Sequence, residues 1–330
     1  MNVMINFLYC LDENYNHQLS VSIYSLLQNV NQPISIFMIH KTNTDASFLP
    51  RKVLNHKNLE SINVFKFNKN VKNFPNLNNS HVSEATYYRL FMDDYLPETL
   101  SKIIYLDADV VCVKNPLKEI IKTFEQMSKN KKTIGVKTEI FKNTESRDLF
   151  NNLKMKSDIY FNAGVMFIDL KMWKKEKADI SLRELLLELY EIVRFWDQDI
   201  LNSFFDGNYY ECSESLNKVL NLFYNCDLEK GYTVKALKKE NIFIHYAGSH
   251  KPWTPTGVLS LTSEIYQELF RELFNKKYHL THKWKVNSIK TIFNSLNDRT
   301  FLNLNFKISF LLIFFKSLFV NKLTYKEKRM

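Results

Sequence analysis

Two apolar runs separated by an amphipathic segment fill the first forty residues, and this order restricts the fold more than any other feature. Residues 3–11 are almost wholly apolar. Residues 17–29 place Leu19, Ile23, Leu26 and Leu27 on one helical face, and residues 34–39 (ISIFMI) are apolar again. A strand, a helix and a strand joined by short connections pair in parallel beneath a crossover helix, which begins a Rossmann-like, doubly wound α/β sheet. The pattern continues with a short strand at 61–67, a helical segment at 84–96 closed by Pro97, and a strand at 102–106. Further strands are expected at 164–170 and 242–246, and a helix from about 180 to 194. Ligands of such sheets bind outside the C-terminal ends of the strands. Beyond residue 255 the pattern becomes helical and basic, so the expected division is an α/β domain over 1–258 and a helical segment over 259–330.

Charge is placed unevenly. The last sixty residues hold 13 Lys or Arg against 3 Asp or Glu, whereas the first 270 hold 32 of each sign. Phe301, Phe306, Phe310, Phe314, Phe315 and Phe319 are mixed into the basic tail. Basic residues interleaved with bulky apolar ones suit an anionic lipid surface better than nucleic acid, so no nucleic-acid partner is expected. The rival reading is a helical hairpin packed on the main domain with a solvated basic face. The apolar run Ile308–Val320 is too short to span a bilayer and is interrupted by Lys316. Ahead of the first strand there is no Lys or Arg, and Asp12 and Glu13 follow it, so it reads as a buried strand and not a secretory signal. Cys10, Cys112, Cys212 and Cys226 form no C-x-x-C pair, which fits a reducing compartment better than a disulfide framework or a zinc site. The expected location is cytoplasmic, peripheral on the inner face of the membrane.

Three constellations carry chemistry. Tyr105-Leu106-Asp107-Ala108-Asp109 ends an apolar strand with two carboxylates two residues apart, an arrangement able to hold a hard divalent cation with sites open for phosphate oxygens. Alone, Asp-x-Asp is more readily a solvated strand end or an Asx-turn; its place at the end of a buried strand favours the metal reading. His245-Tyr246-Ala247-Gly248-Ser249-His250-Lys251-Pro252-Trp253 offers a third ligand in His245, a glycine that lets backbone approach phosphate, a point charge in Lys251, and a wall for a sugar in Trp253. Asn162-Ala163-Gly164 stands before a strand, and Asp197 and Gln198 precede an apolar helix, where they are suited to bind sugar hydroxyls or face an anomeric carbon. The plain alternative for Asp197 is a helix N-cap.

Together these segments resemble glycosyltransferase family 8, the bacterial lipopolysaccharide and lipooligosaccharide galactosyl- and glucosyltransferases with glycogenin as a more distant relative. The resemblance runs from the first strand to about residue 255. It implies a GT-A fold with a mixed central sheet. It implies that Asp12 and Asn14 contact uracil, that Arg89 in Thr86-Tyr87-Tyr88-Arg89-Leu90 contacts the donor, and that His81 faces the donor/acceptor cleft. Asp107, Asp109 and His245 match the manganese ligands (Mg²⁺ being the other candidate), with Ala108 beside them in the donor site. Asn162, Asp197 and Gln198 match donor-sugar and reaction-centre positions, and Gly248 and Lys251 the diphosphate contacts. Glu139 stands where the galactosyltransferases have Asp, which bears on donor identity or acceptor geometry. The basic tail resembles the membrane-attachment segment of the lipooligosaccharide members.

The implied activity is retaining transfer of galactose or glucose from a UDP-sugar to a lipid-linked saccharide, with metal and Lys251 offsetting charge on departing UDP. A metal-dependent nucleotidyltransferase is a weaker reading, since no Gly-rich triphosphate loop is evident. A catalytically silent membrane-associated scaffold is equally weak, since all three ligands are present.

Overall fold

The computed structural model describes residues 4–69, 71, 74–77, 82–139, 145–222, 231–281, 286–297 and 300–316. The opening strand-helix-strand forms as expected: β1 is Ile5–Leu11, α1 is Asn16–Asn29 and β2 is Ile34–His40. Every residue of β1 and β2 is buried, because side chains on both faces of these central strands meet a covering layer. A short helix α2 (Arg51–Leu54) leads to β3 (Leu59–Lys66). β4 (Lys102–Leu106) pairs in parallel with β1 on its other side.

The remaining segments are β5 (Val110–Cys112), α3 (Leu117–Lys129), β6 (Ile134–Glu139), α4 (Glu145–Asn152), β7 (Tyr160–Asp169), α5 (Leu170–Lys175), α6 (Ala178–Glu188), α7 (Trp196–Phe205), β8 (Tyr210–Glu211), β9 (Lys218–Val219), α8 (Val234–Glu240), β10 (Phe243–His245), α9 (Glu264–Phe274) and α10 (Val286–Asn297). Seven strands form one sheet in the order β3-β2-β1-β4-β7-β6-β8, and β7 is antiparallel to both β4 and β6, so the sheet is mixed. Strand order reverses between β1 and β4, and Asp12 and Asp107 follow their C-terminal ends. This is the crevice where ligands of open α/β sheets bind. A second sheet, β5-β10-β9, stands beside it.

Side chains alternate between two cores. Phe7, Tyr9 and Leu11 of β1 enter one with α1 and α9, while Leu8 and Cys10 enter the other with α6 and α7. Serines let α1 approach the sheets closely: Tyr9 Oη meets Ser22 Oγ at 3.0 Å, and Cys112 N donates to Ser25 Oγ at 2.8 Å. The second bond ties α1 to β5.

The helical segment expected at 84–96 forms over residues 84–94 as a 3-10 helix capped by Ser83. Side chains three apart then lie in register, which puts Thr86 and Arg89 on one side. The helix expected to reach residue 194 stops at Glu188. β7 begins at Tyr160, so Asn162 and Gly164 lie inside a strand and not ahead of it.

Packing carries across residues 258–259. Ile265, Tyr266, Phe270 and Leu273 of α9 belong to the first core. Gln267 Nε2 donates to the carbonyls of Pro252 and His279 at 2.8 and 2.9 Å, and Thr281 N donates to Trp253 O at 2.8 Å. A separate small cluster then gathers Val258, Leu259, Tyr278, Ile292, Phe301, Leu304, Phe310 and Phe314.

His279 is buried between Trp253 and Phe270, and its Nδ1 meets Tyr266 Oη at 2.6 Å. Burial, with the charges of His17 and Lys276, pushes its pKa down to about 3. A base with a depressed folded pKa stabilises fully above its ordinary value of 6.5 and loses that contribution as pH falls toward 3. Below pH 6.5 it should contribute a loss of about 1.4 kcal/mol per pH unit. Thermal unfolding from pH 7 to 4 should therefore fall less steeply in His279→Gln than in the wild type. Parallel slopes would contradict this role.

Candidate active site

The turn after β4 brings the two aspartates to one side. Asp107 N donates to Gly164 O at 2.8 Å and Val110 N to Asp107 O at 3.1 Å, which folds residues 107–110 tightly before β5 begins. β10 runs antiparallel to β5 with His245 opposite Val110, and Tyr246 N donates to Asp109 O at 3.2 Å. The imidazole is thereby held over the turn, with Nε2 at 3.4 Å from Asp109 Oδ1 and 3.8 Å from Asp107 Oδ2. Ligand atoms of the three residues all lie within 4.8 Å of one another. Gly164 leaves the room they need: a Cβ on it would fall 2.2 Å from His245 Cε1.

Asp109 is buried. Its Oδ2 takes Lys251 Nζ at 2.5 Å, and Lys251 also donates to Tyr246 O at 2.6 Å. Burial raises the Asp109 pKa, but Lys251 and then His245 outweigh it and hold the group ionised, well below the usual carboxylate range. Among the described residues Asp109 Oδ1 has no hydrogen-bond partner. Two carboxylates and an imidazole, with one buried oxygen unsatisfied on their shared side, fit a small divalent cation such as Mn²⁺ or Mg²⁺.

Opposite this cluster, buried Arg89 fastens the other wall. Its Nε lies 2.5 Å from Asp197 Oδ2, its Nη1 donates to Ala163 O at 2.5 Å, and its Nη2 lies 3.5 Å from Asp107 Oδ1. Thr86 Oγ1 donates to Asp197 Oδ1 at 2.6 Å, and Tyr105 Oη donates to Asp107 Oδ1 at 2.6 Å. Burial pushes the Asp197 pKa up to about 6 against the opposing effects of Arg89 and Thr86. Gln198 Oε1 accepts from Ala163 N at 2.9 Å, which turns its amide nitrogen toward Glu139 Oε2 at 3.4 Å. The two walls enclose a cavity of about 500 Å³.

Most residues singled out from sequence meet there. Asp12, Arg89, Asp107, Ala108, Asp109, Glu139, Asn162, Asp197, Gln198, His245, Gly248 and Lys251 all line the cavity. Gly248 has φ +75°, a conformation that disfavours any side chain. His81 lies outside the described residues. Two residues stand off the lining. Trp253 does not line the cavity: it is 3% exposed and packs edge-on behind Tyr15, among Tyr266 and His279. Asn14 is exposed and off the lining; its backbone N–H donates to Asp12 Oδ1 at 3.0 Å. Nor does Asp197 cap α7. It lies inside the helix, which begins at Trp196, and its carboxylate goes to Thr86 and Arg89; Asp199 Oδ2 accepts from the backbone N–H groups of Arg194 and Phe195 at 2.7 and 2.8 Å. Tyr15, Asn217 and Asn221 were not expected. Tyr15 and Asn221 line the cavity, and Asn217 meets His245 Nδ1 at 3.2 Å.

Residues 6–257 match the family described as Glycosyl transferase family 8. The chain belongs to glycosyltransferase family 8. It is 29% identical over 258 residues to a lipopolysaccharide 1,2-glucosyltransferase of Escherichia coli, covering 74% of this chain and 71% of that one. Against a lipopolysaccharide 1,3-galactosyltransferase of Salmonella typhimurium it is 25% identical over 266 residues, covering 79% and 77%. Among solved structures, galactosyltransferase LgtC with donor and acceptor sugar analogs superposes with a TM-score of 0.64 at 21% identity, over 87% of this chain and 100% of that one. The fold is therefore GT-A and the protein a glycosyltransferase.

The position of the His245 ring depends on the clearance at Gly164. Gly164→Ala should push the His245 ring off the aspartates and weaken divalent-cation binding by roughly 10–100-fold while the protein still folds. Calorimetric titration with Mn²⁺ checks this, and wild-type affinity in the variant would show that the ring yields without leaving its partners.

Proposed function

We propose that this family 8 glycosyltransferase moves a hexose, galactose or glucose, from a UDP-sugar to a lipid-linked saccharide of the lipopolysaccharide or lipooligosaccharide core, with retention at the anomeric carbon. The observation that carries the reading is the convergence of Asp107, Asp109 and His245 at one side of a cavity whose other side is Arg89, Asp197 and Gln198. Mn²⁺ held by the first three would supply positive charge where the diphosphate of UDP departs. Lys251 has given two of its three N–H groups to Asp109 and Tyr246, so one remains for phosphate. Asp12 and Tyr15 line the same cavity beyond β1, where the base would lie.

On the sugar side, both oxygens of Asp197 are engaged by Thr86 and Arg89. That favours a fixed acceptor for sugar hydroxyls and a stabilising charge for an oxocarbenium-like sugar over a free nucleophile. Gln198 presents its amide nitrogen for the same reason, its oxygen being taken by Ala163. The departing phosphate would then take the acceptor proton. Glu139 faces this region and bears on which hexose fits.

The lipid-facing part of the proposal rests on the helical residues 307–316. Phe310 and Phe314 are buried in the C-terminal cluster, whereas Ile308, Leu312 and Phe315 are 77%, 67% and 52% exposed on the opposite side, between Lys307 and Lys316. Among the described residues no helix is long and apolar enough to cross a membrane. A surface with apolar side chains between lysines suits the interface of an anionic bilayer.

Two experiments test these readings. UDP release should occur with one UDP-hexose in Mn²⁺, stop with EDTA, accelerate with a lipooligosaccharide extract, and fall by more than about 100-fold in Asp109→Asn. Full activity in EDTA or in Asp109→Asn would remove the metal role, and release of pyrophosphate in place of UDP would point to nucleotidyl transfer. Separately, Ile308→Gln, Leu312→Gln and Phe315→Gln together should weaken sedimentation with anionic vesicles while UDP affinity persists. Unchanged sedimentation would assign this helix to packing alone.

A further inference from the structure

Asn217 is 2% exposed and sits between a 3-10 turn (Glu214–Leu216) and β9, which pairs in parallel with β10 and sets Val219 beside His245. Its side chain touches two residues of the site: Oδ1 is 3.2 Å from His245 Nδ1, and Nδ2 is 3.0 Å from Asn162 Oδ1. Asn162 Oδ1 also accepts from Gly164 N at 3.0 Å. A backbone N–H can only donate, so the Asn162 atom facing it is the oxygen. The Asn217 atom facing that oxygen must then be the amide nitrogen, and the one facing His245 must be the carbonyl oxygen. An oxygen with no proton requires that Nδ1 carry one. The neutral ring then has its lone pair on Nε2, the nitrogen 3.4 Å from Asp109 Oδ1 and 3.8 Å from Asp107 Oδ2. A lone pair aimed at two carboxylates is repelled unless a cation lies between them.

The same chain of bonds acts on Asn162. With its oxygen occupied by Gly164 and Asn217, its Nδ2 has no partner among the described residues, and Asn162 lines the cavity. We propose that Asn217 is a positioning residue serving both halves of the site. It holds His245 with Nε2 toward the cation, and it holds Asn162 with its amide nitrogen toward the donor sugar. Neither effect involves contact between Asn217 and substrate. Partners of this kind on the far side of a metal-bound imidazole typically affect metal affinity by about 10–100-fold.

The inference rests on the metal-dependent reading above, and its test separates the two. Nitrogen NMR of the histidine side chains in saturating Mg²⁺, a diamagnetic cation, should show His245 protonated on Nδ1 in the wild type and lose that single tautomer in Asn217→Ala. Mn²⁺ affinity without donor, read from electron paramagnetic resonance of free Mn²⁺, should fall roughly 10–100-fold in the same variant. Asn217→Asp keeps an oxygen for Nδ1–H but no donor for Asn162. It should retain the tautomer and Mn²⁺ affinity while raising KM for the UDP-sugar. An alanine variant with the wild-type tautomer and Mn²⁺ affinity overturns the proposal. If the alanine variant does not fold, an unchanged donor KM in Asn217→Asp overturns it instead. A wild type that binds no Mn²⁺ defeats the metal reading, and the tautomer comparison still decides the role of Asn217.

Discussion

The three-residue ladder between β5 and β10 is the constraint on which the site depends. Asp107 and Asp109 belong to a turn that leaves the main sheet, and His245 lies more than a hundred residues later. Only the register that sets His245 against Val110 brings them together. A slip of one residue would turn the imidazole to the other face. The register is supported from both sides: Ser25 of α1 accepts from Cys112 in β5, and β9 pairs along the other edge of β10.

Charge balance follows from this arrangement. Asp107, Asp109 and Asp197 face one another across the cavity, opposed by the cations Arg89 and Lys251. With all three carboxylates ionised, one negative charge is in excess within a largely buried cluster. Buried charge of one sign is unfavourable unless paired. A divalent cation offsets the excess and leaves positive charge for a diphosphate. Arg89 is therefore a brace, since its guanidinium joins Asp107, Asp197 and the β7 backbone. The 3-10 form of residues 84–94 suits this, because it aligns Thr86 with Arg89 against the same carboxylate.

Much of this was legible in the sequence. Strand-helix-strand periodicity gave the parallel start of the sheet, and apolar residues ending in Asp107-Ala108-Asp109 marked a strand end with paired carboxylates. What escaped was set by tertiary placement. Trp253 has the composition of a sugar platform, yet α9 folds back over it and makes it core. Asp197 looks like a helix cap, but α7 begins one residue before it and its carboxylate is held by Thr86 and Arg89. Asn217 carries no local signal, since its meaning comes from β9 lying beside β10. The basic tail read as one lipid-facing unit, whereas residues 264–274 complete the main core and the exposed apolar side chains stand farther on.

The central claim is that two distant segments form one cation site for a nucleotide diphosphate. The most direct measurement is a crystal structure grown with Mn²⁺ and UDP, with anomalous data collected at the manganese absorption edge. The account predicts one strong peak bound by Asp107, Asp109 and His245 Nε2, with phosphate oxygens of UDP completing its coordination. UDP bound in the cavity with no manganese at these three residues, or manganese held elsewhere, would contradict it.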